Sequence, residues 1–165
     1  MESAEQNIIS QNWDERIELR PAEIGDLEEI LEIEQKSFRT PWSRQMFLRE
    51  LELAFSYHRV ARLRINNQLV GYIFCWSADK EASILSLAVN SEFRRQGIGA
   101  YILESALRDF KEQGIREAWL EARVSNFPAI ALYQRLDFSL VGLRLGYYQD
   151  TGEDALVMKK ELLPR

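Results

Sequence analysis

The sequence predicts an α/β fold (α+β in stricter schemes), in which one mixed sheet of about seven strands carries helices on both faces. Two observations support this prediction. Extended segments occur in pairs around the turn Asn66-Asn67 and around the loop 148–154, as antiparallel strands do. Between these pairs, the segments 83–89 and 119–124 flank a periodic helix, and such a strand–helix–strand unit forms a parallel pair through a right-handed crossover.

Residues 1–16 are polar and aperiodic, so we interpret them as a flexible N-terminal arm that Ile8, Ile9 or Trp13 could tie down. Residues 17–165 then form one domain, as expected for a chain of 165 residues. A chain of this length buries enough surface to fold without disulfides or a structural metal.

The first elements of the domain follow from apolar spacing. Residues 17–20 alternate as in a strand, and residues 23–38 carry apolar side chains at helical spacing. Ser43 is a suitable N-cap for a second helix over residues 44–53.

The central elements include the most apolar segment of the chain. Residues 57–65 and 69–76 read as the strands of a hairpin, and residues 83–89 are apolar enough to be buried on both faces of a sheet. A strongly periodic helix follows over residues 100–112, and Gly114 stands where a C-cap glycine would end it.

The last elements complete the sheet. Residues 119–124 form a predicted strand, and Asn126 caps a helix that runs to about Leu136. The segments 138–147 and 155–159 are the final pair of predicted strands.

Composition excludes several classes of site. The single cysteine, Cys75, excludes a disulfide framework and a multi-cysteine zinc site. The single histidine, His58, argues against His-rich metal sites and, unless His58 itself serves, against a Ser-His-Asp hydrolase. We therefore expect no metal and interpret both residues as structural.

Hydropathy, the N-terminal sequence and the single cysteine predict a cytoplasmic protein, and the charge balance bears on its partners. The net charge is −5, from 21 basic and 26 acidic residues, so we expect no direct nucleic-acid partner. No apolar run approaches the ~18 residues of a membrane span, and the N-terminus lacks the basic and apolar regions of a signal peptide. We therefore expect no membrane partner, and one cysteine agrees with a reducing compartment.

A glycine turn, Arg94-Arg95-Gln96-Gly97-Ile98-Gly99, connects a strand to a helix. The free N–H groups and the dipole at a helix N-terminus favour a phosphate there, and glycines let the ligand approach the backbone. The spacing fits neither the Walker sequence nor the dinucleotide fingerprint. A pyrophosphate other than that of NTP or NAD is one interpretation, and an ordinary tight turn is the other.

Two further residues carry candidate chemistry. Glu121 lies in a largely apolar strand, where a carboxylate serves either as a general base or in a structural salt bridge, to Arg123 or Arg116. Tyr133, on an apolar helix, is either a core aromatic or a proton donor to a leaving thiolate. The residues alone leave both choices open.

Taken together, these segments resemble the GNAT acetyltransferases from about residue 17 to residue 160. The turn matches that family's Arg/Gln-x-x-Gly-x-Gly/Ala motif. Four further segments resemble its RimI-like branch, the ribosomal-protein-alanine N-acetyltransferases. These are Ile33-Glu34-Gln35 with Pro41-Trp42-Ser43, Trp119-Leu120-Glu121-Ala122-Arg123-x-Ser125-Asn126, Ala129-Ile130-Ala131-Leu132-Tyr133, and Tyr147-Tyr148 with Glu153-Asp154-Ala155. The chain departs from the family at Asp137, where a glycine usually precedes the phenylalanine.

The resemblance implies a fold and a set of site residues. It implies that the central parallel strands splay apart and that acetyl-CoA enters between them, without a metal. It makes Glu121 the base and Tyr133 the acid. It assigns acetyl-CoA binding to Leu87, Ala88, Val89, Arg94, Arg95, Gln96, Gly97, Ile98, Gly99, Ala100 and Asn126. Trp42, Tyr147 and Tyr148 become candidates for contacts with the acceptor, although the two tyrosines could equally cover a sheet edge.

The acceptor implied by the resemblance is a protein N-terminus, and specifically the N-terminal alanine of a small-subunit ribosomal protein. We expect a monomer or weak dimer. Two alternatives stay open at this point: a GNAT enzyme that acetylates a small amine or a lysine side chain, and a CoA-binding regulatory module without catalysis. The joint presence of Glu121 and Tyr133 argues against the second alternative.

Overall fold

The structure, a computed structural model, describes residues 12–164. Ile8 and Ile9 of the predicted arm therefore lie outside the described residues. The strands are β1 (Ile17–Arg20), β2 (Ser56–Leu63), β3 (Leu69–Ala78), β4 (Glu81–Val89), β5 (Glu117–Arg123), β6 (Ser139–Tyr148) and β7 (Glu153–Glu161). The α-helices are α1 (Trp13–Arg16), α2 (Leu27–Ser37), α3 (Arg44–Glu52), α4 (Ile98–Glu112) and α5 (Phe127–Arg135).

The strands form one seven-stranded mixed sheet in the order β1-β2-β3-β4-β5-β7-β6. The pairs β1–β2, β5–β7 and β6–β7 are antiparallel, whereas β4 and β5 are parallel. The parallel register joins Glu81–Ile84 to Glu117–Leu120 and includes neither Val89 nor Glu121, which lie further along the two strands. The predicted α/β fold with a mixed sheet of seven strands is therefore confirmed.

The chain divides into two compact units, and the first comprises the residues up to Phe74 together with Ser86–Leu103. Its core is apolar and includes a cluster of aromatic rings. In that cluster the Phe47 ring centroid lies 5.0 Å from that of Phe74 and 6.0 Å from that of Tyr72. The buried members of this core are Ala22, Leu27, Ile30, Ile33, Phe47, Val60, Leu69, Tyr72, Phe74 and Ala88.

The second unit comprises Cys75–Leu85 and Glu104–Arg165. Residues Ala118, Leu120 and Ala122 of β5 alternate into its core. This alternation follows from the period of two in a strand, and it leaves Glu121 on the opposite, partly exposed face, as predicted.

The predicted caps account for the ends of several helices. The Ser43 hydroxyl accepts the Met46 N–H at 3.2 Å at the start of α3. The Asn126 side chain accepts the Ala129 N–H at 3.4 Å at the start of α5. Gly114 adopts φ +81° beyond α4, the left-handed conformation that a C-cap glycine takes.

The first predicted helix begins later than expected. Residues Ile24–Asp26 form a 3₁₀ turn, and the α-helix starts at Leu27. The Asp26 carboxylate accepts the Glu23 N–H at 2.8 Å and forms an ion pair with Arg62 at 2.6 Å. These two contacts stabilise the 3₁₀ turn and so delay the start of the α-helix.

The prediction that residues 83–89 are buried on both faces is wrong in part. Burial along β4 alternates, so Ile84, Ser86 and Ala88 are buried while Leu87 and Val89 are only half-buried. The second face of this strand therefore remains partly accessible.

The departure at Asp137 is accommodated by the backbone. Asp137 adopts φ +67°, a left-handed conformation that aspartate tolerates better than most residues. The Lys160 ammonium donates to the carbonyl of Leu136 at 2.7 Å, which ties this turn to β7.

Candidate active site

The glycine turn lies in the first unit, immediately before α4. Arg95 (φ +63°) and Gly97 (φ +88°) adopt left-handed conformations, and the helix begins at Ile98. The Arg94 guanidinium donates to the Val89 carbonyl at 3.1 Å and to the Ser37 hydroxyl at 2.9 Å. The turn is thereby tied to β4 and α2, and the free N–H groups at the start of a fifteen-residue helix can receive an anion.

The strand segment before the turn is closely packed through Gly71, a residue that the sequence analysis did not single out. A Cβ built on Gly71 would lie 2.9 Å from the Ala88 carbonyl oxygen and 2.8 Å from Cδ1 of Ile102. Only glycine allows this approach, so Gly71 positions the backbone of Leu87–Val89.

Glu34 of α2, which the sequence analysis named only within a family-like segment, is a buried carboxyl group. It accepts hydrogen bonds from the Tyr72 hydroxyl, from the Ser86 hydroxyl at 3.4 Å and from the Trp42 N–H at 3.2 Å. Burial raises the pKa of Glu34 above its usual range, against the effect of these donors. The carboxyl group fixes the backbone of the predicted acceptor-contact residue Trp42, whose ring centroid packs 5.1 Å from that of Phe47.

Glu121 lies in the second unit, on β5, with a side chain that is 29% exposed. Its Oε1 lies 2.8 Å from Nε of Arg144 on β6, so the ion-pair partner is Arg144 and not Arg123 or Arg116. The Tyr147 hydroxyl also bonds to Glu121, and this bond raises the pKa of Tyr147. The carboxylate therefore faces a cationic N–H donor and a phenol in a partly exposed setting.

Arg123 holds the loop between β6 and β7. Its guanidinium donates to both carboxylate oxygens of Asp150, at 2.9 and 2.8 Å, and to the Thr151 hydroxyl at 3.2 Å. It also lies 4.0 Å from the ring centroid of Tyr148. The ring centroids of Tyr147 and Tyr148 lie 5.1 Å apart, so the contacts of Arg123 orient both tyrosines.

Tyr133 lies on α5 in the same unit as Glu121 and is partly buried. Burial raises the pKa of Tyr133 to about 12, and Tyr148 and Cys75 add to the shift. The phenol therefore carries its proton throughout the physiological pH range. Its ring packs 6.0 Å from that of Phe138 at the end of the helix.

The two residues interpreted as structural do have structural roles. Cys75 is fully buried. His58 Nδ1 accepts the Ala22 N–H at 2.9 Å, and burial together with the charge of Arg59 lowers the pKa of His58. Among residues 12–164, no three His, Cys, Asp or Glu side chains are grouped to hold a metal.

Comparison with known proteins decides the family. Residues 27–138, more than half of the chain, match the Acetyltransferase (GNAT) family. The chain belongs to this family. The predicted enzyme class, an acyltransferase, is therefore confirmed.

Several GNAT relatives are similar over most of the chain. An N-alpha-acetyltransferase of Saccharolobus solfataricus is 36% identical over 160 residues, covering 87% of this chain and 92% of that protein. The ribosomal protein bS18-alanine N-acetyltransferase of Escherichia coli (strain K12) is 31% identical over 138 residues, covering 82% and 91%. The crystal structure of the ribosomal-protein-S18-alanine N-acetyltransferase from Escherichia coli superposes with a TM-score of 0.81 at 29% identity, covering 90% and 96%.

Within residues 12–164, the GNAT chain has no helix that is both long enough and apolar enough to cross a bilayer.

Proposed function

We propose that this GNAT protein is an N-alpha-acetyltransferase that moves acetyl from acetyl-CoA directly to the N-terminal amine of a protein. The observation that carries the proposal is the environment of Glu121. A partly exposed carboxylate already binds one cationic N–H donor, Arg144, at 2.8 Å. A substrate ammonium group is a donor of the same kind.

Glu121 is the proposed general base. An amine is protonated at neutral pH and is then no nucleophile, so a proton must leave before attack. A free α-amine has a pKa of ~7.7–8.0, whereas a lysine side chain has ~10.4. Glu121 therefore faces a smaller deprotonation cost with a protein N-terminus, and we propose that it removes this proton through a water molecule.

Tyr133 is the proposed general acid. An acid must carry its proton at the working pH, and a phenol with a raised pKa of about 12 does so. Tyr133 would donate this proton to the sulfur as negative charge develops on it. The two roles keep the proton balance, since one proton leaves the amine and one reaches the departing thiol.

The glycine turn is the proposed acetyl-CoA site, and its geometry fits an anion. Arg95 and Gly97 have positive φ angles just before the helix begins at Ile98, and turns that contain left-handed residues can gather backbone N–H groups into an anion-binding concavity. The turn would hold the pyrophosphate, and Asn126 would contact the same ligand. When bound, acetyl-CoA supplies an acetyl group activated as a thioester. The backbone N–H groups of Leu87–Val89 would polarise its carbonyl.

The acceptor is proposed to be an N-terminal alanine of a small-subunit ribosomal protein. The support is the similarity to the ribosomal protein bS18-alanine N-acetyltransferase of Escherichia coli. Trp42, Tyr147 and Tyr148 would contact the first acceptor residues. The predictions of a cytoplasmic location and of a monomer or weak dimer stay predictions.

The direct test is thiol release from acetyl-CoA with and without a peptide that begins with alanine. We expect release that depends on the peptide and is lost when its N-terminus is blocked. Release with small amines but not with the peptide would favour the small-amine alternative. Binding of acetyl-CoA without release to any amine would favour the regulatory module.

A further inference from the structure

The indole N–H of Trp13 is the one buried side-chain donor in the described part of the chain that lacks a hydrogen-bond partner. Trp13 is only 3% exposed, so the group is shielded from bulk solvent. Buried polar groups in native proteins nearly always have partners, and an exception calls for a ligand or another explanation.

The unpaired N–H lies beside the glycine turn. A Cβ built on Gly97 would lie 3.7 Å from Nε1 of Trp13, and it would meet no other side chain of residues 12–164 within 4 Å apart from its chain neighbours. Gly97 precedes the first residue of α4, where the helix presents its free N–H groups. A donor without a partner therefore stands next to the place where an anion is proposed to bind.

One contact holds the Trp13 segment against the start of α4, and a second lies within that segment. The Tyr101 hydroxyl, in the first turn of α4, donates to the carboxylate of Asp14 at 2.6 Å. The Arg16 guanidinium lies 4.6 Å from the Trp13 ring centroid. The short helix α1 is thus fastened to the start of α4, and Arg16 adds positive charge to the same surroundings.

We propose that Trp13 is a phosphate-binding residue whose indole N–H donates a hydrogen bond to the pyrophosphate of CoA seated in the glycine turn. The inference rests on the proposed function of that turn. It gives the segment before β1 a role in ligand binding. A core position would be filled equally well by an apolar ring, whereas the indole adds a donor that a phosphate oxygen in the turn would satisfy.

The test is Trp13→Phe, which keeps an aromatic ring and removes the N–H. Affinity for CoA and for dephospho-CoA is measured by calorimetry. Since a hydrogen bond to a charged group is among the stronger ones, we expect both ligands to bind about 10-fold more weakly. Trp119→Phe is the matched control, because it also removes an indole N–H, one that is bonded to Glu117 at 3.1 Å. It should leave both affinities unchanged.

Thermal unfolding separates binding from stability. Without ligand, Trp13→Phe should melt no more than a few degrees from the parent, since it loses no hydrogen bond, while the rise in Tm on adding CoA should shrink.

Should the variant not fold, the parent protein still provides the test. Its four tryptophans give four indole N–H signals in ¹⁵N NMR spectra. Single variants at the other three tryptophans identify the Trp13 signal. On adding CoA, this signal should move downfield.

The outcomes separate the two proposals. Parental affinity of Trp13→Phe for both ligands would overturn the role of Trp13 and leave the glycine turn intact. A loss with CoA but not with dephospho-CoA would overturn the pyrophosphate assignment, because only CoA has the 3′-phosphate. Failure of the parent protein to bind CoA would overturn the proposed function of the turn itself.

Discussion

The Nε of Arg144 lies 2.8 Å from Oε1 of Glu121, so the proposed general base is paired with a guanidinium that is itself 57% exposed. An exposed pair of this kind contributes at most about 1 kcal/mol. The guanidinium can therefore leave at low cost when a substrate ammonium arrives.

Glu121→Gln keeps the shape of the side chain and removes its ability to take a proton. General acid–base steps contribute about 10²–10⁴-fold, so kcat should fall by that range while acetyl-CoA affinity changes little. The defect should shrink at high pH, where more of the amine is already deprotonated. Steady-state kinetics from pH 7 to pH 9.5, with Glu117→Gln as a control on the same strand, would reveal the trend. Parental turnover would mean that the base has been misassigned.

Tyr133→Phe should lower kcat by about 10²–10⁴-fold, and its defect should not shrink as the pH rises. Because the pKa of Tyr133 is about 12, the parent enzyme should keep its activity from pH 8 to pH 10, where an ordinary tyrosine begins to lose its proton. Activity that falls through an apparent pKa near 10 in the parent but not in Tyr133→Phe would contradict the raised pKa.

Gly97→Glu places a negative charge where the pyrophosphate should bind, and we expect acetyl-CoA binding to weaken strongly. Gly97 has φ +88°, so any side chain there also strains the backbone. Gly114→Glu is the matched control, because Gly114 has φ +81° and open space around it. Both variants should lose similar stability in urea titrations, and only Gly97→Glu should lose affinity by calorimetry. Equal affinities would refute the phosphate site.

Alternation along β5 was sufficient to place Glu121 on the accessible face of the sheet. Its ion-pair partner, Arg144 on β6, could not be predicted from the sequence. Leu140 pairs with Met158, and Arg144 pairs with Ala155, with a register shift between Leu140 and Gly142. In a regular strand Leu140 and Arg144 would share a face. The bulge reverses the alternation, so Arg144 joins the face of Glu121.

Other features of the site depend on contacts between distant segments. The Glu34 carboxyl group meets Tyr72 and Ser86, which are 38 and 52 residues away in the chain. Helical periodicity placed Glu34 on α2 but carried no information on these donors. The unpaired N–H of Trp13 cannot be predicted from a sequence either, because it is defined by the absence of a partner among residues 12–164 of the folded chain.

Mass spectrometry of one acetylated peptide tests the central claim most directly. The peptide carries an N-terminal alanine and an internal lysine, and it is incubated with the enzyme and acetyl-CoA at neutral pH. The α-amine costs less to deprotonate than lysine by roughly 3 kcal/mol, so acetyl should appear on the N-terminal alanine. Acetylation mainly at the lysine would contradict N-terminal acetylation and favour a lysine acetyltransferase.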